Sequence, residues 1–427
     1  MSKYKNIVLG AGISGLAYTN AMGKESTLII EKNDYYGGLC HSFKIDDFTF
    51  DSAVHLSFTN DEIVRSEFDK VDIWKHKPIS YNFYSGKWIK HPIINNLYEL
   101  DVEEKVNFIK SYIDRDKNRR IDSYRDWLLA SYGEQFTKKL YDIYTEKYWT
   151  VKSEQMSTEW IGNRLADTNI EKILYGAFST NDEIDYYAKE MRYPQHGGFQ
   201  HFIDHLADEC NLIYGNKVEE VDLEKKVVRT ADGKCYEYCN LASSIPLNEL
   251  VKITKNIPND LLEESKKLTC TKISLVSVGF SRPDVAKWLW FYIYDKDIMA
   301  ARVNSPSMKS SNNAPSGCCS LQFEIYHNNN DAVDEKEIVE NVKNSILEMG
   351  LCKENDILFM DYRLLEYGNV IFTKNMRTAR DIIKSYYENK GIDLIGRFGE
   401  FDYFWSDQSF ISGWKKGNLK KRRDEKR

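Results

Sequence analysis

The chain has 427 residues, of which 42% are hydrophobic and 13% aromatic, and its formal net charge is -6 at pH 7. This length and composition are ample for two or three packed units, and they exclude an intrinsically disordered chain. The negative charge offers no attraction to a nucleic-acid backbone, and the sequence has no run of eighteen apolar residues that could span a membrane. We therefore expect a folded cytoplasmic protein that binds no nucleic acid and has no membrane span.

The N-terminal segment contains the most specific motif of the chain. An apolar run leads into Gly10, Gly12 and Gly15, which form the pattern G-x-G-x-x-G and are followed by a helical pattern. Glycines at these positions let backbone amides approach a pyrophosphate at a helix N-terminus, whose partial positive charge adds to the attraction. A second apolar run ends on Glu31, nineteen residues beyond Gly12, where an acid can bond ribose hydroxyls. The segment predicts a Rossmann-like domain that binds a dinucleotide.

The residues after Glu31 indicate which dinucleotide is bound. Lys32 follows directly, and Gly37, Gly38 and Leu39 permit a second close approach of the backbone to the cofactor. This order resembles the flavoprotein group that includes amine oxidases, protoporphyrinogen oxidase and UDP-galactopyranose mutase. The resemblance implies FAD as the cofactor, and it assigns Lys32, Gly38 and Leu39 to FAD binding together with the glycine motif and Glu31.

Helical and strand patterns alternate along the rest of the chain. Between residues 102 and 150, apolar side chains recur at helical spacing, which predicts a helical insertion. Short alternating strands after residue 210 predict a return to the dinucleotide-binding domain, where Val218 would meet the adenine side of the cofactor. Strand-like segments between residues 272 and 326 predict an antiparallel sheet over the flavin. The segment from Asp393 predicts a last strand, a glycine turn and a helix beside the flavin.

We therefore predict an α/β fold, with a discontinuous Rossmann-like FAD-binding domain, a helical insertion and an antiparallel-sheet substrate domain. The predicted boundaries place the FAD-binding domain at 1–75, 193–250 and 385–414, a helical substrate domain at 76–192, the antiparallel-sheet substrate domain at 251–384 and a basic tail at 415–427. We interpret the basic tail as solvated or disordered rather than as a nucleic-acid site.

Four separated segments, at 144–149, 156–164, 288–302 and 396–408, resemble the UDP-galactopyranose mutase family more specifically. They occur in the family's order and are spread over most of the chain. The residues to which this resemblance assigns roles are Arg164 and Arg302 in catalysis, Trp149, Tyr292 and Tyr403 in substrate binding, and Gly396, Arg397, Asp407 and Gln408 in FAD binding.

The arginines and tyrosines of these segments suit a sugar nucleotide. A diphosphate has two negative charges, which arginine forks match bidentately without losing a proton. The phenolic hydroxyls of Tyr292 and Tyr403 would donate hydrogen bonds to the same phosphates. The alternative is that Arg164 closes a helix and pairs with an acid, while the tyrosines belong to aromatic cores. The agreement of all four segments in order favours a diphosphate site.

The resemblance also implies a reaction. Reduced flavin N5 attacks the anomeric carbon of a nucleotide-diphosphate sugar, and opening and closure of the resulting adduct interconvert the pyranose and furanose forms. The implied partners are the nucleotide-sugar substrate and an electron donor such as NAD(P)H, in surface glycan biosynthesis. The cysteines show no C-x-x-C spacing that would suit zinc, so we expect no metal. The sugar, the base and the formation of a homo-oligomer stay open.

Two places depart from the family pattern. The family has Gly-Gly-His beside the flavin, where this chain has Ala53, Val54 and His55, and a β-branched valine disfavours positive φ. His55 is kept as a catalytic candidate. In the base-binding segment, Ile94 replaces an amide that would bond the base, while Asn96 is kept as a candidate substrate contact.

Two other functions stay open. An FAD-dependent oxidoreductase of the amine oxidase or protoporphyrinogen oxidase type needs an apolar or aromatic cage over the flavin and no diphosphate site. The surroundings of Arg164 and Arg302 therefore discriminate an oxidase from a mutase. The second is a protein that binds flavin but catalyses no reaction, and that acts as a partner or chaperone in a glycan pathway. Val54 is the feature that favours this hypothesis.

Overall fold

The computed structural model describes residues 2–180, Tyr186 and residues 188–426. The predicted segments 1–75, 76–192 and 415–427 each include residues outside this description. Within the described ranges, no helix combines the length and the apolar character needed to cross a membrane.

In the described part of the chain, the strands are β1 (Ser2–Leu9), β2 (Thr27–Ile30), β3 (Ser42–Ile45), β4 (Phe48–Asp51), β5 (Ile73–His76), β6 (Ser80–Tyr84), β7 (Lys87–Lys90), β8 (Met191–Pro194), β9 (Asn211–Ile213), β10 (Val218–Asp222), β11 (Val227–Thr230), β12 (Cys235–Ser243), β13 (Thr271–Phe280), β14 (Trp290–Ile293), β15 (Arg302–Asn304), β16 (Cys319–Asn328), β17 (Ile357–Leu365) and β18 (Asp393–Leu394).

The α-helices of the same residues are α1 (Ile13–Met22), α2 (Glu62–Phe68), α3 (Val102–Ile113), α4 (Tyr124–Tyr132), α5 (Glu134–Phe136), α6 (Asp142–Trp149), α7 (Ile170–Phe178), α8 (Asp204–Ala207), α9 (Leu247–Ile253), α10 (Asn259–Ser265), α11 (Pro306–Lys309), α12 (Glu335–Glu348), α13 (Met376–Asn389), α14 (Gly396–Gly399) and α15 (Ser406–Glu425). A π-helical turn at Thr137–Tyr141 joins α5 to α6.

The first large sheet has the strand order β10-β11-β12-β1-β2-β9, and β18 pairs with β12. Strand β1 is parallel to both β2 and β12, and its last residues Ile7, Val8 and Leu9 are fully buried. A parallel strand that is covered on both faces reads as a continuous apolar run, which is why the N-terminal sequence indicated this strand clearly. The prediction of a Rossmann-like domain in an α/β fold is confirmed.

The second large sheet has the strand order β17-β13-β16-β15-β14-β6-β7. Its central strands are antiparallel, as predicted, but β6 is parallel to β14. Strands β6 and β7 come from the segment 76–192, so the expectation that this segment is helical is wrong at its start. The reason is tertiary packing, because Trp88 of β7 contacts Phe83 of β6 and Phe291 of β14, each at a ring-centroid distance of 5.0 Å.

Helices α3 to α7 follow in that segment between Val102 and Phe178, in agreement with the helical insertion predicted between residues 102 and 150, and β8 begins at its end. Phe108 of α3 stacks on Phe136 of α5 with ring centroids 4.4 Å apart, and both side chains are fully buried. Helix α6 ends on Tyr148 and Trp149, which it directs towards the second sheet and the C-terminal segment, since their rings contact Tyr326 and Tyr403 respectively. The helical insertion thus supplies one wall of the site described below.

Residues 415–425 belong to a helix and not to a tail, although most side chains from 419 to 426 are exposed, as expected of a solvated segment. Helix α15 continues to Glu425 and packs along α1. A Cβ built on Gly413 would lie 2.0 Å from the carbonyl oxygen of Ser14, and one on Gly417 would lie 2.8 Å from the Cβ of Ala21. The two glycines lie four residues apart on one face of α15, so the absence of a side chain at both positions lets α15 pack closely against α1.

Asp51 and Lys309 form a fully buried ion pair between the end of β4 and α11. The Lys309 Nζ donates to Asp51 Oδ2 at 2.7 Å, and the Tyr193 hydroxyl donates to the same oxygen at 2.8 Å. Asp51 Oδ1 accepts the Ser42 hydroxyl at 2.8 Å and the Phe199 amide at 2.9 Å. Burial raises the pKa of Asp51, but Lys309 and these hydrogen bonds outweigh it, so the pKa lies below its ordinary value. One carboxylate therefore joins the β3–β4 hairpin to β8 and α11.

Replacing Lys309 by Met should strongly destabilise the protein, because the Asp51 carboxylate would stay buried without a counter-ion. We expect the free energy of unfolding to fall by about 3–5 kcal/mol, measured by urea denaturation at pH 7. The double variant Lys309→Met/Asp51→Asn removes both charges and should recover a large part of the loss. A loss below about 1 kcal/mol in the single variant, as for an exposed pair, would show that this ion pair does not organise the fold.

Candidate active site

The loop before α1 forms a backbone cradle. Gly10 has a φ of +94°, and a Cβ built on Gly15 would lie 2.1 Å from the carbonyl oxygen of Gly10. Gly38, at a φ of +59°, approaches the same loop, since its Cβ would lie 3.4 Å from the Gly12 Cα. A Cβ on Gly12 would meet no described atom within 4 Å, and α1 has no side-chain cap. The open space and the free amides of the first turn fit a pyrophosphate.

Glu31 lies beside this cradle at the end of β2 and is 7% exposed. Its carboxylate accepts the amide of Ala11 at 2.8 Å and the amide of Asn33 at 3.0 Å. The amide of Asn216 donates to the Glu31 carbonyl at 3.0 Å, which brings the start of β10, with Val218, close to the same place. The structure therefore brings Glu31 and Val218 together with the glycine loop, and Glu31 also fixes that loop.

Three residues assigned to cofactor binding have other partners in the structure. Lys32 forms an exposed ion pair with Glu366. Asp407 and Gln408 lie in the first turn of α15, where Asp407 Oδ1 accepts the Gln408 amide and Gln408 Oε1 accepts the Trp405 amide, each at 2.9 Å. These side chains satisfy amides at a helix start, which lack partners within the helix. Their assignment to cofactor binding stays a prediction.

Gly396 and Arg397 lie between α1 and the cavity described next. Gly396 has a φ of +73°, and a Cβ there would lie 2.2 Å from the Ser14 hydroxyl oxygen, so glycine is required beside the first turn of α1. The Arg397 Nε donates to the Phe404 carbonyl at 2.8 Å, and its Nη1 donates to the Gly368 carbonyl at 3.3 Å. Arg397 is thereby held at the cavity wall.

A cavity opens between the loop after β4 and the second sheet. Apolar and aromatic side chains with a few polar groups line it, as is usual for small-molecule sites. Among the described residues, no group of three potential metal ligands comes together. The lining residues are Leu39, Ala53, Val54, His55, Leu56, Phe58, Tyr148, Tyr186, Met191, Ile273, Trp290, Tyr292, Arg302, Tyr326, Gly368, Asn369, Arg397, Tyr403, Trp405 and Ser406.

Val54 and His55 line the cavity in the loop that follows β4. Val54 has no positive φ, and its amide donates to Glu324 Oε1 at 2.8 Å. His55 Nδ1 donates to the Ala53 carbonyl at 3.0 Å, which leaves Nε2 as a hydrogen-bond acceptor. Burial lowers the pKa of His55 to about 4, so the ring is neutral at pH 7. His55 therefore offers the cavity an acceptor and no charge.

Arg302 lines the cavity, but its charge is already matched. Its Nε and Nη2 donate to Glu324 Oε2 at 2.7 and 2.6 Å. The Glu324 side chain is fully buried, and the Tyr326 hydroxyl donates to the same oxygen at 2.8 Å. A close ion pair of this kind presents little net charge to a ligand. Arg302 thus offers hydrogen-bond donors rather than an unbalanced positive charge.

Arg164 and Arg397 have no carboxylate partner in the part of the chain that the structure describes. Arg164 donates to the carbonyls of Trp160 at 2.8 Å and Tyr403 at 3.0 Å, and its Nε is buried without an acceptor among these residues. The guanidinium carbons of Arg164 and Arg397 lie 4.8 and 5.3 Å from the ring centroid of Tyr403. Arg164 does not line the cavity, but it contacts Tyr403 and Trp405, which do. Positive charge is therefore concentrated at Tyr403.

Tyr292 and Tyr403 line the cavity with their hydroxyls protonated. The Tyr403 hydroxyl lies 3.0 Å from that of Tyr148. Burial and Tyr148 raise the pKa of Tyr403 well above its ordinary value. Burial also raises the pKa of Tyr292, whose ring centroid is 4.8 Å from that of His91. Both tyrosines are neutral hydrogen-bond donors at pH 7.

Trp149 and Asn96 do not line the cavity, and their substrate contacts stay predictions. Trp149 is 3% exposed, and its ring centroid lies 5.0 Å from that of Trp160 and 5.1 Å from that of Tyr403. Asn96 Nδ2 donates to the Pro92 carbonyl at 2.9 Å within its own turn. Trp149 therefore supports Tyr403 from the core, and Asn96 closes a loop.

Sequence reasoning missed Glu324, the partner of Arg302. Strand β16 has a signal that could have found it, because polar side chains alternate there with apolar ones on a strand that is buried over most of its length. A polar face on a buried strand needs partners inside the protein. The residues of this polar face are Ser320, Gln322, Glu324 and Tyr326.

Replacing His55 by Gln should reduce the acid sensitivity of the fold. The pKa of His55 is about 4 in the folded protein, below its ordinary value of 6.5, so the unfolded state binds more protons between these pH values. The free energy of unfolding of the wild type therefore falls as the pH decreases from 6.5 to 4. The free energy of unfolding of His55→Gln, measured by urea titrations, should fall less over this range. The matched variant of the exposed His196 should follow the wild type. If the free energy of unfolding falls equally with pH in His55→Gln and in the wild type, the imidazole of His55 is not held neutral in the folded protein.

Comparison with known proteins identifies the architecture. A family model described as an NAD(P)-binding Rossmann-like domain matches residues 8–71. Reduced UDP-galactopyranose mutase has a TM-score of 0.91 at 21% identity, covering 97% of this chain and 95% of that chain. An Exiguobacterium protein provisionally assigned as protoporphyrinogen oxidase has a TM-score of 0.75 at 15% identity, covering 99% and 100%. Putrescine oxidase bound to putrescine has a TM-score of 0.62 at 13% identity, and the alignment covers 100% of this chain and 99% of that chain.

The curated relatives match only short stretches. All-trans-retinol 13,14-reductase of Danio rerio is 41% identical over 51 residues, which is 12% of this chain and 8% of that protein. An uncharacterised protein in the nifH2 3' region of Methanothermococcus thermolithotrophicus is 45% identical over 60 residues, which is 13% of this chain and 58% of that protein. The chain thus spans less than two thirds of either relative. The family resemblance seen in the sequence is confirmed in the fold: this chain has the architecture of UDP-galactopyranose mutase and of the protoporphyrinogen and amine oxidases, built on a Rossmann-like dinucleotide-binding domain.

Proposed function

We propose that this protein is a flavin-dependent mutase that interconverts the pyranose and furanose forms of a nucleotide-diphosphate sugar. The observation that carries the proposal is the unbalanced positive charge at Tyr403. Arg164 and Arg397 contribute two charges without carboxylate partners in the described chain, and a diphosphate has two negative charges to match them. The likeness in fold to UDP-galactopyranose mutase supports the same conclusion.

The residues present fit FAD as the cofactor. The glycine loop and the first turn of α1 would hold the pyrophosphate, and Glu31 lies where it can reach ribose hydroxyls. Leu39, Val54 and His55 would form the wall that faces the flavin ring. When bound in its reduced form, FAD supplies the nucleophile for the anomeric carbon of the sugar. The predicted division of the chain into FAD-binding and substrate domains is part of this proposal.

The side chains of the cavity would bind and orient the leaving diphosphate. Tyr292 and Tyr403 donate neutral hydrogen bonds, and Arg302 offers donors without adding net charge. The concentrated positive charge of Arg164 and Arg397 stabilises the diphosphate as its negative charge grows during departure. Because the diphosphate stays bound beside the sugar, its return is effectively intramolecular. The aromatic wall excludes water, which would otherwise hydrolyse the sugar.

The proposal extends to partners and context. The substrate is a nucleotide sugar, and an electron donor such as NAD(P)H reduces the flavin. A cytoplasmic location, a role in surface glycan biosynthesis and assembly into a homo-oligomer belong to the same proposal. No residue described here specifies the base or the sugar.

A second candidate is an FAD-dependent oxidoreductase of the amine oxidase or protoporphyrinogen oxidase type. It is favoured by the aromatic character of the cavity wall, which includes Phe58, Trp290 and Trp405, and by the neutralisation of Arg302 by Glu324. Such a wall suits an apolar substrate. The two candidates differ in whether the cavity binds a diphosphate.

The assay that tests the proposal follows isomers of equal mass. The purified protein, reduced anaerobically with dithionite, is offered a panel of nucleotide sugars, and the products are separated chromatographically. We expect one sugar nucleotide to be converted to an isomer of equal mass by the reduced protein, and none by the oxidised protein. Failure to isomerise any sugar, with reduction of the flavin by an amine or another small molecule, would support the oxidoreductase instead.

Replacing Arg164 by Ala should weaken the binding of UDP, because one of the two unbalanced charges near Tyr403 is lost. We expect the dissociation constant, measured by titration calorimetry, to rise on the order of tenfold or more. The matched variant Arg282→Ala removes an exposed arginine that pairs with Asp284, and it should bind UDP like the wild type. An unchanged affinity in Arg164→Ala would remove this charge from the diphosphate site.

A further inference from the structure

Strand β16 holds the backbone that follows β4 at two points. Gln322 and Glu324 are two residues apart and so share one face of the strand. Gln322 Nε2 donates to the carbonyl of Asp51 at 2.9 Å, and Glu324 Oε1 accepts the amide of Val54 at 2.8 Å. The loop from Asp51 to Val54 is therefore fixed by two successive side chains of one strand.

The second carboxylate oxygen of Glu324 contacts Arg302, its neighbour on β15, and Tyr326 of its own strand. Glu324 Oε2 accepts Nε and Nη2 of Arg302 and the hydroxyl of Tyr326. The Glu324 side chain is fully buried, whereas the side chain of Arg302 is 19% exposed and lines the cavity. One buried carboxylate thus contacts both the loop at Val54 and the guanidinium that a ligand can reach.

We infer that Glu324 couples the binding of an anion at Arg302 to the backbone conformation at Val54. The inference rests on the proposed function only for the identity of the anion, a nucleoside diphosphate. Glu324 acts through its neighbours, so it is a positioning residue, and its effect reaches the cavity wall through Val54 and the adjoining His55.

A bound anion and Glu324 compete for the same hydrogen-bond donors of Arg302, and this competition provides the coupling. An anion at Arg302 draws the guanidinium away from Glu324, and a buried carboxylate that loses part of its ion pair redistributes its remaining hydrogen bonds. Those bonds come from Val54 and Tyr326. The coupling is reciprocal, so a change in the loop at Val54 must also change the affinity of Arg302 for the anion.

Hydrogen exchange at the Val54 amide tests the coupling without any ligand. In the FAD-loaded protein, Arg302→Gln should accelerate exchange at Val54 on the order of tenfold, because Glu324 loses the partner that orients it. The matched variant Arg282→Gln, at an exposed ion pair, should not change it. Amides of β1 report global stability, and the acceleration at Val54 should exceed any acceleration that they show. Unchanged exchange at Val54 in Arg302→Gln would overturn the inference.

Addition of UDP is the second part of this hydrogen-exchange experiment. UDP should change exchange at Val54 in the wild type about fivefold or more and leave it unchanged in Glu324→Gln, which keeps the side-chain shape but lacks the charge. An equal response in both proteins would overturn the coupling. If the wild type binds inorganic diphosphate but not UDP, and inorganic diphosphate changes exchange at Val54, the coupling stands and the nucleotide-sugar proposal fails; if neither binds, both fail.

Discussion

The buried ion pair of Asp51 and Lys309 is the interaction on which the geometry of the site depends. A carboxylate and an ammonium that are both removed from water stay charged only when their partners are fixed, and Asp51 has four such donors. The loop with Val54 and His55 begins directly after Asp51, so its position follows from the pair. The side of the cavity that would face a flavin is thus set by electrostatics in the core.

Charge is distributed unevenly around the cavity, and this explains its proposed ligand. Arg302 is neutralised by Glu324, which makes it a source of oriented hydrogen bonds. Arg164 and Arg397 are held by backbone carbonyls instead, so their charges remain available to an anion near Tyr403. Aromatic side chains lower the local polarity and strengthen any such attraction.

Local sequence predicts the dinucleotide half of the site better than the substrate half. The glycine loop and Glu31 were found because their conformation depends on residues within about thirty positions of each other in one strand–helix–strand unit. The ion pair of Arg302 with Glu324 and the burial of Trp149 depend on packing between distant elements, which residue spacing does not reveal. The helix at 415–425 was missed for the same reason, since the closeness of Gly413 and Gly417 to α1 is a tertiary contact.

A crystal structure of the FAD-loaded protein with UDP tests the proposed site most directly. We expect the flavin ring to lie against the loop at Val54 and His55, and diphosphate oxygens to lie within hydrogen-bonding distance of Tyr403 and Arg397. A diphosphate bound outside the cavity, with Tyr403 and both unbalanced arginines free of it, would show that this cavity is not a sugar-nucleotide site.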